Sequence, residues 1–279
     1  MIIDSHVYCL PPRLRDHAVR LPASEAPIRS AIHRHPDGHW VLPLSSPESI
    51  LRSMDKAGVD RAVLVSFPWA DPSLCSENND FTLLQARNRR FWAVCSVQPF
   101  KPGWDREARR CLAAGAVGIK VNPSWQGGSL DDPAVLRLAS LVEEQGAFLL
   151  VHTDQLFRDS RSSPARLLEL ARRRPETRIV AAHMGGLLGL YADLARIKPC
   201  IKNLWFDTAV SETMRMVSWY ADAGLTNRLL FGTDYPFNGC HSQAKVVERL
   251  RKLRLGRTAE AGVFGGNLLK LLGPAGKRP

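Results

Sequence analysis

Apolar residues recur along this chain in two rhythms that take turns. Short apolar runs with the look of buried strands are each followed by a longer stretch whose apolar positions fall three and four apart, the spacing of an amphipathic helix. The runs lie at 1–8, 61–66, 91–97, 117–121, 147–151, 178–182, 203–206 and 228–231. Helical stretches follow at 46–58, 77–90, 105–115, 134–144, 165–173, 187–197, 212–223 and 241–253, with a last one at 259–272. The first helix carries its own punctuation: Ser46 can cap it, Pro47 suits its first turn and Gly58 ends it. Strands that alternate with helices predict a parallel sheet, and eight such units close into a (β/α)8 TIM barrel of α/β class, here one domain over residues 1–279. An open doubly wound sheet is the alternative, but no G-x-G-x-x-G follows the first strand. One stretch breaks the rhythm. Residues 11–46, rich in Pro, His and Arg, read as a long insertion after strand 1 that could serve as a lid.

Composition narrows the class of protein. A chain of 279 residues with 45% hydrophobic and 23% charged content can bury a full core, and no apolar run has the length of a membrane span. Asp4 and His6 interrupt any secretory apolar segment, so a cytoplasmic protein with no membrane partner is expected. The six cysteines are scattered without a C-x-x-C pair, which argues for reduced thiols and against a zinc knuckle or disulfide framework. The formal charge of +11, from 29 Arg and 9 Lys against 27 acidic residues, suggests compositional bias toward Arg and leaves a small anionic substrate open. The basic residues are spread over many helices with no aromatic-interleaved motif, so nucleic acid is not an expected partner.

The chemistry gathers at strand ends. Asp4, His6 and Tyr8 alternate along strand 1, which would put all three on one face. Strands 5, 6 and 8 end at His152, His183 and Asp234. The C-terminal mouth of a barrel is where active sites lie, so these residues should converge there. A single strand-end His is ordinarily structural, but imidazoles and a carboxylate together are the ligands of a catalytic Zn²⁺ that activates water. Lys120 ends strand 4, facing inward by alternation with Ile119 and Val121, as a substrate contact or an ion-pair partner. Trp125, with Trp69 and Phe237, could wall a planar substrate, and Arg158 or Arg161 could clamp a carboxylate. Asp207 ends strand 7, placed to orient a histidine or cap a helix.

At these residues the sequence resembles the amidohydrolase superfamily, in the branch that includes aminocarboxymuconate-semialdehyde decarboxylase. The resemblance runs through Ile3-Asp4-Ser5-His6, Gly118-Ile119-Lys120-Val121-Asn122-Pro123, Val151-His152-Thr153, Ala182-His183-Met184-Gly185-Gly186, Phe231-Gly232-Thr233-Asp234-Tyr235-Pro236-Phe237 and Phe264-Gly265-Gly266-Asn267. It implies a mononuclear metal, Zn²⁺ or another divalent ion, on His6, His152 and Asp234, with His183 acting on the substrate. It also implies a second strand 1 histidine, and there this chain has Tyr8, a poorer ligand. Three outcomes are open: Tyr8 ligates as phenolate or yields to water; His33, His35 or His39 of the insertion fills the place; or catalysis is metal-free, with Asp234 as base and Tyr8 or Lys120 steadying an oxyanion.

The expected function is hydrolysis of a lactone or amide in a small organic molecule, with water activated by the metal or by Asp234 and with His183 as acid. The enzymatic alternative is metal-assisted, non-oxidative decarboxylation of an unsaturated or aromatic carboxylic acid. A degenerate barrel acting as a binding protein is the non-enzymatic one. A homodimer through barrel helices is the default assembly.

Overall fold

The computed structural model describes residues 1–15, 21–25, 45–154, 160–209, 214–237 and 242–273. Eight strands form one parallel sheet in sequence order: β1 Ile3–Tyr8, β2 Arg61–Val65, β3 Phe91–Ser96, β4 Gly118–Val121, β5 Phe148–Val151, β6 Ile179–Ala181, β7 Leu204–Asp207 and β8 Leu229–Leu230. The seam between the last strand and the first is joined by Ser5 N–H to Phe231 C=O (2.7 Å), Asp234 N–H to His6 C=O (2.9 Å) and Tyr8 N–H to Tyr235 C=O (2.8 Å). The fold is therefore the TIM-barrel-like α/β architecture that the alternating rhythm predicts.

Side-chain alternation sorts the strands into two layers. Leu64, Cys95, Ile119, Val121, Leu149, Val151, Ile179 and Ala181 pack outward among the helices. Val63, Val65, Trp92, Val94, Phe148, Leu150, Val180 and Leu230 belong to the inner cluster. Lys120, between Ile119 and Val121, points into the barrel.

Strand β1 departs from simple alternation. Asp4 pairs with Ala62 and Val7 with Leu64, so three steps on β1 oppose two on β2, a bulge of one residue. It turns Asp4 away from His6 and Tyr8, correcting the expectation that the three share a face. Asp4 accepts from Thr233 N (3.0 Å), Thr233 Oγ1 (2.5 Å), Gln243 Nε2 (2.7 Å) and its own neighbour His6 N (3.1 Å). It thereby ties β1 to the loop after β8 and to the helix Gln243–Arg251. Burial raises its carboxyl to about 6 against those four donors.

The helices Pro47–Ala57, Trp104–Ala113, Pro133–Glu144, Pro164–Arg173 and Gln243–Arg251 lie close to the expected stretches. Ser46 and Ser49 form a reciprocal capping box at the first of them, and Gly58 closes it at φ 66°. Two expectations fail. The second helix runs Pro72–Gln85 and not 77–90, because Asp71 caps it by accepting from Ser73 N and Pro72 fixes its first turn. No α-helix spans 187–197: a 3-10 run over His183–Tyr191 has left-handed backbone at His183, Met184, Gly185, Gly186 and Leu187. A Cβ on Gly185 would stand 2.8 Å from the Phe206 ring, and one on Gly186 2.5 Å from the Asp154 carbonyl oxygen.

The described ends of the insertion are packed. Leu10, Leu14 and Leu21 join the inner cluster beside Tyr8 and Phe67, Glu25 accepts from Ala70 N and Asp71 N, and Ser45 Oγ donates to Tyr8 C=O. His33, His35 and His39 lie outside the described residues, as does Arg158. Among the described residues no helix is long and apolar enough to cross a membrane. The cysteines described there are free thiols.

Candidate active site

The C-terminal ends of the strands bring together His6, Tyr8, Lys120, His152, His183, Asp207 and Asp234. Asp207 organises the group. Its Oδ2 meets His6 Nδ1 at 2.8 Å, while its Oδ1 accepts from His183 N (2.9 Å) and Ala209 N (3.2 Å). Burial, which would raise this carboxyl, is outweighed by His6, His183 and Lys120, and the group falls to about 2. A permanent carboxylate at Nδ1 keeps the proton on that nitrogen and leaves His6 Nε2 as a lone pair. Nε2 stands 3.4 Å from Asp234 Oδ1, and neither atom has a hydrogen-bond partner among the described residues.

A second line of contacts runs through the other imidazoles. His152 Nε2 meets Asp154 Oδ1 at 3.0 Å, His152 Nδ1 meets His183 Nε2 at 3.1 Å, and His183 Nδ1 faces Ala209 C=O at 3.3 Å. Burial lowers both histidines, His183 well below its ordinary value, with Lys120 adding to the effect on each. Two neutral rings carry two protons for three contacts. The charge-assisted bond to Asp154 takes one, His183 Nε2–H donates the other to His152 Nδ1, and the longest contact goes without. Both nitrogens of His152 are then committed. His183 sits on strained left-handed backbone (φ 57°), as does Asp234 (φ 58°).

Lys120 is the anomaly. Its side chain is fully buried and its ammonium has no hydrogen-bond partner among the described residues. Burial lowers it to about 8, opposed by Asp207 and Asp234. Its charge acts on His6, His152, His183, Asp207 and Asp234 alike, which puts it in their midst. Burial raises Asp234 well above the ordinary carboxyl range, with Lys120 opposing. The Tyr8 phenol is also pushed far up, by burial and then by Asp234 and Asp207. A buried cation without a partner costs several kcal/mol, which points to a group the site needs and the fold does not.

An aromatic wall rises from this floor. Tyr8 lies 5.1 Å from His6, 5.2 Å from Phe67 and 5.1 Å from Phe237 between ring centres, and Phe67 stacks on Trp125 at 5.1 Å. Trp125 in turn stacks on His152 at 6.0 Å. Tyr8 and Phe67 are buried, whereas Trp125, Phe237, His152 and His183 keep partial exposure and form the rim. The wall is pinned from behind: Asn78 accepts from Phe67 N and Trp69 Nε1, and Gln126 donates to Trp69 C=O and Val97 C=O. Trp69 belongs to that backing, fully buried. Arg161 is exposed.

Sequence reasoning missed Asp154, Phe67, Asn78 and Gln126. Asp154 stands two residues beyond His152, and Phe67 directly after β2, in the same strand-end position that drew attention to Trp125 and Phe237. Asn78 and Gln126 carry no local signal, because the groups they bond, Phe67 N, Trp69 Nε1 and the carbonyls of Trp69 and Val97, lie in the loops after β2 and β3.

Eight parallel strands thus carry histidines and aspartates to one mouth of a TIM-barrel-like fold. The model of the amidohydrolase family matches residues 31–273, and the chain belongs to that family. No curated protein matches it. Among solved structures it is similar to 5-carboxyvanillate decarboxylase from Sphingomonas paucimobilis, with 18% identity, 97% of this chain and 98% of that one covered, and a TM-score of 0.78. The 5-carboxyvanillate decarboxylase of Novosphingobium aromaticivorans, complexed with manganese and 4-hydroxy-3-methoxy-5-nitrobenzoic acid, is similar at 17% identity over 98% of this chain and 96% of that one, TM-score 0.77. A probable 2-pyrone-4,6-dicarboxylic acid hydrolase from Acinetobacter baumannii, with citric acid bound, is similar at 16% identity over 98% and 99%, TM-score 0.66.

The donors here fit a divalent ion only in part. His6 Nε2 and Asp234 Oδ1 are unpartnered and close enough to share one. The third expected ligand, His152, has both ring nitrogens engaged, Tyr8 replaces the fourth, and the charge of the buried Lys120 ammonium acts on both His6 and Asp234. Among the described residues no group of three His, Cys, Asp or Glu is arranged to hold a metal. The set does not fit the ion that the resemblance implies.

Proposed function

We propose that the protein is a non-oxidative decarboxylase of a planar aromatic or unsaturated carboxylic acid. The observation that carries this reading is the Lys120 ammonium, buried inside the barrel beneath an aromatic wall and without a hydrogen-bond partner among the described residues, together with an Asp234 carboxyl that burial pushes well above the ordinary range. The substrate ring lies against Trp125 and Phe67, and its carboxylate takes the free hydrogen bonds of the Lys120 ammonium. Asp234 gives its proton to the ring carbon that bears the carboxylate. The bond from that carbon to the carboxylate then breaks, its electron pair returns to the ring and CO₂ leaves. Asp234, now ionised, is steadied by Lys120 until it takes a proton from solvent. The net change is a carboxylate and a proton giving the shortened product and CO₂.

This reading displaces the hydrolysis that the sequence favours first. Hydrolysis needs an ionised base to take a proton from water, whereas burial pushes the Asp234 carboxyl toward its neutral form. It is also supported by the similar solved structures, which are mostly decarboxylases and include one complexed with 2,6-dihydroxybenzoate and one with manganese and a nitrobenzoic acid. Zinc, as expected from the resemblance, has no complete ligand set here and enters no step.

The test is a panel of hydroxylated benzoates and unsaturated acids assayed for CO₂ release in deuterated buffer. Deuterium should appear at the vacated carbon, and Asp234→Asn should lower turnover by about 10²-fold or more. Opening of lactones or amides without CO₂ release would instead favour the hydrolase.

A further inference from the structure

The two unpartnered atoms at the floor, His6 Nε2 and Asp234 Oδ1, form an electron-rich corner of the kind a cation normally fills. In this chain the corner is answered from within. The third unpartnered buried group in the site is the Lys120 ammonium, carried in from β4, whose charge is felt by His6 and Asp234 alike. We infer that Lys120 is a resident cation that takes over the electrostatic role of the metal, so that the enzyme works without a bound metal ion and excludes one.

Three independent features point the same way. Lys120 makes no ion pair within bonding distance among the described residues, so its charge is held for something that enters between it and the corner. Tyr8 stands where an imidazole would have completed a metal site, and it is packed against His6, Phe67 and Phe237 as part of the wall. His152 is turned to Asp154 and His183 and presents no free lone pair to the corner. A divalent ion at His6 and Asp234 would share the barrel interior with the buried Lys120 ammonium, and like charges taken out of water repel strongly. The ammonium supplies one charge and three donors at a fixed place, enough to bind a carboxylate and to offset the ionised Asp234. The inference deepens the decarboxylase reading but does not depend on it, because its readout is metal content.

The full chain, purified without chelator, is incubated with excess Mn²⁺ or Zn²⁺, desalted and analysed for metal. The wild type should retain far less than one equivalent of either. Lys120→Met combined with Tyr8→His should retain close to one equivalent, and Lys120→Arg combined with Tyr8→His should not. A wild type that holds a stoichiometric metal, lost in His6→Ala or Lys120→Met, overturns the inference. So does a folded Lys120→Met/Tyr8→His variant, checked by its melting transition, that remains metal-free. Failure of the decarboxylation assay alone leaves these outcomes unchanged.

Discussion

Lys120 gives the clearest handle at the scale of single residues. Its folded pKa is depressed to about 8 from 10.5 by burial, so the ammonium is present below pH 8 and lost as pH rises through that value. Activity that depends on the charge should therefore fall about tenfold per pH unit on the alkaline side of pH 8. Lys120→Arg, if active, should carry the plateau to higher pH; a wild-type profile flat to pH 10 would contradict the role. Asp207 acts through other groups: it holds His6 Nδ1 and the backbone of His183 and touches no substrate. Asp207→Asn should cut kcat by about 10–100-fold with KM little changed. A KM effect alone, with kcat intact, would contradict its positioning role. His6, His152, His183, Asp207 and Asp234 were legible in the sequence because each is a chemistry-bearing residue at the end of an apolar run. Their partners were not. That His152 would spend both nitrogens on Asp154 and His183, or that Lys120 would have no counter-ion at bonding distance, depends on packing between strands far apart in the chain.

Among the elements, two local departures shape the site. The β1 bulge turns Asp4 outward to Thr233 and Gln243 while His6 and Tyr8 keep facing the mouth. Nothing in Ile3-Asp4-Ser5-His6 signals it, because a strand with one extra residue still alternates on both sides of the bulge. The left-handed run after β6 is the second, and the expected helix at 187–197 failed on it. The residues beyond Gly185 and Gly186 have amphipathic spacing, and spacing alone does not show that the backbone before them is left-handed. This turn couples structure to chemistry, since Gly186 lies against the Asp154 backbone and Asp154 holds His152. Gly186→Ala would combine a positive φ with a Cβ 2.5 Å from the Asp154 carbonyl oxygen. It should cost about 2 kcal/mol or more in a denaturant melt and lower activity out of proportion to the folded fraction. A variant as stable and as active as wild type would show that the turn is not under this constraint.

For the molecule as a whole, the fold was the most legible feature, since strand–helix alternation repeated along the chain leaves few architectures to choose from. The substrate was the least, because it is set by side chains from separate strands and loops. Net charge adds a property that no single contact carries. At +11 the molecule should draw anionic substrates toward its mouth. For a carboxylate substrate kcat/KM should then fall several-fold as salt rises from low ionic strength to about 0.15 M, where the screening length is about 8 Å. A neutral amide analogue that binds with the same salt dependence would assign the effect to something other than charge.

The central claim is that a planar carboxylate binds on Lys120 against the aromatic wall without help from a metal. It is tested most directly by equilibrium binding of a hydroxylated benzoate, followed through the fluorescence of Trp125 with a Trp125→Phe control. The account predicts saturable binding to the chelator-treated wild type and about tenfold or greater weakening in Lys120→Met, the loss expected for a buried charge-assisted contact. Binding that survives Lys120→Met unchanged, or that appears only when Mn²⁺ or Zn²⁺ is added, would contradict it.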